Sequence, residues 1–237
     1  MIISAEPSWT FWLAVRSAFG IARDHFAAFF TVALVLNIPL TLVQLFRFGQ
    51  AMDFIVAILC SIGLAICFSY GSIQAMNGAR PNAIAMLRQF RRREIGKLLT
   101  LGLAQAIAIV IGLIALVLPG LFVLARWMVA VPAMMAEGTD ITASLKRSSD
   151  LTLGRRWRVL GVWLFCSFSV FATYIVLLIP ILDALGIGIG STAFIAIGAV
   201  TGSLVSMITY SVPPVLYLLL RREKEAATPE SIAAAIG

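Results

Sequence analysis

Apolar runs of about 20 residues, long enough to cross the roughly 30 Å hydrocarbon core of a bilayer as a helix, recur along nearly the whole chain. They predict spans over 26–46, 53–75, 98–118, 120–136, 159–182 and 192–220. The fourth is short and the sixth long, a difference that tilt absorbs. Ahead of the first, third and fifth spans the pattern changes to helical amphipathicity. Trp12, Val15, Phe19, Ala22 and Phe26 make one stripe, flanked by Arg16 and Arg23. Ile84, Leu87, Ile95 and Leu98 make a second after an Arg80-Pro81-Asn82 start, interrupted by Arg91. Ile141, Leu145 and Thr152 share a side behind an N-cap at Thr139 or Asp140. Helices of this kind lie in the membrane surface. The predicted fold class is all-α: a polytopic membrane helical bundle with six transmembrane helices and about three cytoplasmic interfacial helices.

The chain then divides as a single integral membrane domain, 1–237. An interfacial helix occupies 1–25, hairpin 1 occupies 26–75, a basic cytoplasmic helix 76–97, hairpin 2 98–136, a second basic helix 137–158, hairpin 3 159–220 and a cytoplasmic tail 221–237. Surface helix plus hairpin thus recurs along the chain, with Arg16, Arg88 and Arg147 in corresponding places. Unlike the inverted repeats of many transporters, these units would all point the same way.

Composition agrees. Of 237 residues 61% are hydrophobic and 12% charged, with a mean hydropathy of +1.00, against about 25% charged in soluble domains. The net charge of +7 would suggest nucleic acid on a soluble protein. Here, with the N-terminus inside, sixteen of the eighteen Lys and Arg fall in the inner segments, leaving Arg47 outside and Arg126 within a span. The positive-inside rule predicts both termini in the cytoplasm and makes the basic residues a topology signal, so no nucleic-acid partner is expected. The first residues lack a basic region ahead of a short apolar core, so the first span is expected to serve as its own signal.

Candidate chemistry is sparse. Cys60, Cys67 and Cys166 lie inside apolar runs and read as small hydrophobes. His25, the single histidine, sits at a membrane entry point. Phosphate loops, paired zinc histidines and nucleophile elbows are missing from the sequence, and no metal or cofactor is expected. Arg126 stands out, because a charge at the bilayer centre costs at least about 2.5–3.5 kcal/mol. It lies roughly 9 Å below Gly120 along a helix, so its guanidinium is expected to snorkel outward. There Asp53 and Asp183 are candidate partners for a structural pin, and a lipid phosphate is the alternative. Arg91, Arg92, Arg93, Arg155 and Arg156 are further candidates for anionic headgroups, which basic residues attract with about 1 kcal/mol each near the surface. A protein partner at this basic face is the other expectation.

Pro119-Gly120 is expected to make the outer turn of a hairpin. Pro39, Pro132, Pro180, Pro213 and Pro214 are expected to kink or end helices. Gly198 and Gly202 form a GxxxG read as internal packing.

The stretch "LPGLFVLARWMVAVPAMMAEGTDITASLKRSSDLTLGRRWRVLGV" carries Pro119-Gly120, Arg126, Pro132, Glu137-Gly138, Ala143, Lys146, Arg147-Ser148, Leu151-Thr152, Gly154 and Trp157. In this it resembles the membrane domain found fused to some bacterial glycerophosphoryl diester phosphodiesterases, and its stand-alone YciC-like relatives. The resemblance implies a bacterial inner-membrane module. It implies no activity, since in the fused proteins chemistry belongs to a separate soluble barrel.

The functional expectation is a non-enzymatic membrane module that handles lipids, anionic ones among them, or docks a partner. A small transporter is the alternative, its path lined by Asn37, Gln44, Gln105, Ser167 and Thr173. A lipid-modifying enzyme would need Glu137 and Asp140 to converge.

Overall fold

The computed structural model describes residues 10–91, 95–188 and 190–226. Among them the chain is helical, without strand. Helix α1 (Phe11–Asp24) meets α2 (Phe26–Phe46) at His25; α3 (Gln50–Met76) returns from it. Arg47, in the left-handed conformation, closes α2, and Gly49 at φ +106 opens α3, a backbone state open to glycine. Next come α4 (Ala83–Leu87), a 3-10 turn (Arg88–Arg91), α5 (Ile95–Ala115), α6 (Val117–Trp127) and α7 (Ala130–Glu137). Then follow α8 (Ile141–Thr152), α9 (Arg156–Thr173), a π turn (Tyr174–Leu178), α10 (Ile179–Ala184) and α11 (Thr192–Ala226).

Among the described residues five segments are long and apolar enough to cross a membrane: Phe26–Phe46, Gln50–Met76, Ile95–Ala115, Val117–Glu137 and Thr192–Glu225. The expected fifth span, 159–182, is instead divided among α9, the π turn and α10. Pro180 explains the division: it offers no N–H to the Val176 carbonyl and its ring crowds that carbonyl, so the ladder slips there. Pro213 and Pro214 behave otherwise, for α11 runs through both.

Packing centres on α11. One core joins Ala14, Val15 and Ala18 of α1 to Val159 and Val162 of α9 and to Val212, Val215 and Leu216 of α11. A second joins Phe29 and Val32 of α2 to Leu64 and Phe68 of α3 and Met86 of α4. A third sets Ile62 and Ile66 of α3 against Leu98 and Leu101 of α5 and Ala130 and Met134 of α7. Burial corrects the amphipathic reading of α1. Val15 and Ala22 of the expected stripe do face the core, together with Ala14 and Ala18, whereas Trp12, Phe19 and Phe26 of that stripe are exposed. Small side chains let α1 lie close on α11.

The hairpin turn also moves. Leu116, extended at φ −166, separates α5 from α6, and Pro119 and Gly120 already belong to α6. Gly120 serves close approach: a Cβ built there would sit 2.7 Å from the Leu113 backbone nitrogen, and one on Gly112 would sit 2.8 Å from Gly120 Cα. Gly198 and Gly202 do the opposite of what GxxxG suggested, with open space where their Cβ atoms would be.

Candidate functional site

Pro132 shapes the centre of the molecule. It cannot donate to the Met128 carbonyl one turn earlier and its ring crowds that oxygen, and the α6–α7 segment breaks at Met128 and Val129. Irregular backbone within a membrane segment persists where protein groups satisfy it. Gln105, midway along α5, donates Nε2 to the Trp127 carbonyl at 2.6 Å. Ser148 of α8 donates to the Arg126 carbonyl at 2.8 Å, and Thr152 adds a longer bond of 3.3 Å. Arg126 Nε in turn donates to Ser149 Oγ at 2.6 Å. Gly138, at φ +64, turns the chain so that α8 packs on α7. The buried face of α8 is therefore hydroxylic: Ser144, Ser148, Ser149 and Thr152 beside Leu151.

Arg126 thus turns to α8 rather than outward. Neither aspartate takes it: Asp53 Oδ1 is buried without a hydrogen-bond partner, and Asp183 is exposed near the end of α10. Helical spacing gave its depth but not which neighbour its face meets.

A belt of ion pairs fastens α8 to the end of α11. Glu137 Oε1 accepts from Arg147 at 2.8 Å and from the Tyr217 hydroxyl at 2.9 Å. Arg147 also reaches Glu225 at 2.6 Å, and Arg155 reaches Glu223 at 2.6 Å. Lys224 donates to the Asp150 carbonyl. Burial works against the Arg147 charge, but hydrogen bonds and charges from Glu137 and Glu225 outweigh it and raise its pKa. Asp140 pairs elsewhere, with Lys97 at 3.0 Å. Glu137 and Asp140 are accordingly engaged by different cations on different helices.

Beside this belt, Gly154 (φ +80) turns the chain into α9. Phe122, Gly154, Arg155, Arg156, Trp157 and Arg158 line a cavity of ≈ 420 Å³. Arg156 lies with its guanidinium carbon 4.8 Å from the centre of the Phe122 ring, a cation–π contact. Its Nε is buried with no hydrogen-bond partner. Trp157 is 65% exposed next to it. Of the arginines expected to meet lipid, this one keeps a donor in hand, whereas Arg126 and Arg155 are hydrogen-bonded within the protein. Arg91 ends the 3-10 turn, and Arg92 and Arg93 lie outside the described residues. The sequence signal for Phe122 and Trp157 is modest: an Arg-Trp-Arg run at the start of an apolar stretch, with an aromatic four residues before Arg126.

A second cavity, ≈ 250 Å³, lies at the α6–α7 break. Its walls include Ser61 and Ala65 of α3, Gln105 and Ala106 of α5, Trp127, Pro132, Trp163 of α9, and Thr209 and Tyr210 of α11. Arg126 is not among its lining residues. Of the polar residues named as a transport path, Asn37 bonds Ser203 across α2 and α11, Gln105 holds the break, and Thr173 turns back onto the Ser169 carbonyl. The cysteines are free and buried. Among the described residues no three His, Cys, Asp or Glu side chains gather as metal ligands. Comparison with family models, curated proteins and solved structures gives no match for this chain, so its function rests on its own residues.

Proposed function

We propose that this is a six-span, non-enzymatic module of a bacterial inner membrane, with both termini on the cytoplasmic side, that holds an anionic lipid headgroup at Arg156, Trp157 and Arg158. The α9–π turn–α10 rod, fifth in chain order, is the span added to the five long apolar segments. The asymmetric distribution of Lys and Arg supports the orientation, and the likeness of the stretch from Leu118 to Val162 to phosphodiesterase-fused membrane domains supports the bacterial setting.

One observation carries the headgroup assignment: Arg156 offers a buried, unpartnered Nε at the wall of a cavity large enough for a phosphate group. A phosphate supplies the acceptor oxygens that a guanidinium donor matches, and an exposed tryptophan beside it suits the membrane interface. The transporter reading has less support, because the central cavity is not lined by Arg126. The enzyme reading has less still, because its two carboxylates are engaged separately.

The test is electron paramagnetic resonance of spin-labelled phosphatidylglycerol and phosphatidylcholine in vesicles holding the protein. Wild type should immobilise more of the anionic lipid, and Arg156→Gln should equalise the two. Equal immobilisation by wild type contradicts the assignment.

A further inference from the structure

We infer that the ≈ 250 Å³ cavity at the α6–α7 break receives one acyl chain of a surrounding membrane lipid. Lysine, arginine, aspartate, glutamate and histidine are all missing from its lining, so it suits an uncharged guest. An apolar cavity of about 150 Å³ already accepts benzene; this one is larger and is lined by residues of several helices.

Thr209 marks the depth of the guest. Hydroxyls on membrane helices ordinarily bond the carbonyl one turn back, as Thr201, Ser203 and Ser211 of the same helix do. Thr209 Oγ1 does not: it is buried, has no partner, and belongs to a cavity-lining residue. It lies near the middle of the Thr192–Glu225 segment, the depth of acyl chains rather than of lipid ester groups, so the guest it meets there is hydrocarbon.

Access comes from the membrane. Helix α3 packs on both α5 and α11, which line the cavity without packing extensively on each other. Ala106, Ile109, Trp163, Thr209 and Pro213 are part-exposed, so the cavity opens at the bundle surface. Leu103, Ile107 and Ile111 on the outer face of α5 are exposed, so hydrocarbon is what lies against that surface.

This occupancy is separate from the Arg156 headgroup site. It is tested with phosphatidylcholine brominated at mid-chain, whose bromine quenches indole on contact and whose neutral headgroup leaves Arg156 aside. In a variant with Trp163 as its sole tryptophan, emission should fall steeply in brominated vesicles relative to unbrominated ones. Ala106→Phe, filling the cavity from α5, should restore most of that emission, and Ala65→Phe should do so from α3. A Trp12-only variant, exposed on α1, should stay quenched with either filling. Absence of quenching at Trp163, or quenching that neither filling relieves, overturns the inference. Either result leaves the headgroup site standing, just as loss of headgroup selectivity would leave this one.

Discussion

Ser148 Oγ lies 2.8 Å from the main-chain carbonyl of Arg126 and donates to it, so a hydroxyl from α8 replaces a bond that a continuous helix would have supplied itself. The break imposed by Pro132 and the serine face of α8 are two halves of one feature. Thr152 Oγ1 stands behind it, bonded chiefly to the Ser148 carbonyl at 2.8 Å and more weakly to Arg126. Ser148→Ala is expected to cost about 1 kcal/mol, the net worth of such a bond, with Thr152 partly taking over. The double variant with Thr152→Ala should then cost more than the sum of the singles. Unfolding midpoints in a mild detergent measure this, and simple additivity contradicts it.

The same segment explains what the sequence could and could not reveal. Helix α2 was legible to the residue, because apolar runs report length and nothing else was needed. The docking of α8 was hidden, because Ser144, Ser148 and Ser149 count as polar in any periodicity template and mark a solvent face, whereas here they meet broken backbone. Arg126 was legible in depth but not in direction. Pro119-Gly120 misled for another reason: both residues favour turns, yet Gly120 is required for contact with Gly112 and Leu113, and Leu116 makes the bend. The unpartnered Nε of Arg156 depends on which neighbours fold over it, which no local pattern encodes.

Arg126 and Ser149 should be energetically coupled, and Asp53 and Asp183 should not enter. A double-mutant cycle of Arg126→Met and Ser149→Ala is expected to give a coupling of about 1 kcal/mol. Asp53→Asn and Asp183→Asn should each stay within about 0.5 kcal/mol of wild type. Thermal unfolding of the variants decides it; strong destabilisation by either asparagine would restore the aspartate pin.

Glycines at two sites should respond oppositely. Gly120→Ala places a methyl against the Leu113 backbone and should destabilise by about 1–3 kcal/mol, the range for overpacking. Gly198→Ala and Gly202→Ala enter open space and should change stability little in monomeric protein. Unfolding curves of the purified monomer read the contrast, and equal losses at all three positions contradict it.

The ion pairs should divide by exposure. Glu137, with its side chain 19% exposed, accepts from both Arg147 Nε and the Tyr217 hydroxyl, and Glu137→Ala takes the acceptor from these two groups while Arg147 keeps Glu225. A loss of about 1–3 kcal/mol follows. Lys97 and Asp140 are 53% and 77% exposed, and Lys97→Ala should cost under about 1 kcal/mol. Raising the salt concentration should erase the second effect before the first; the reverse order in salt-dependent melting would show the belt to be superficial.

The central claim, a headgroup site at Arg156, is tested most directly by native mass spectrometry of wild type, Arg156→Gln and Arg155→Gln titrated with phosphatidylglycerol and phosphatidylcholine. Wild type should retain phosphatidylglycerol in preference, Arg156→Gln should lose the preference while keeping its fold, and Arg155→Gln, whose guanidinium already belongs to Glu223, should keep most of it. Equal retention of the two lipids by wild type, or a preference that survives in Arg156→Gln, contradicts the account.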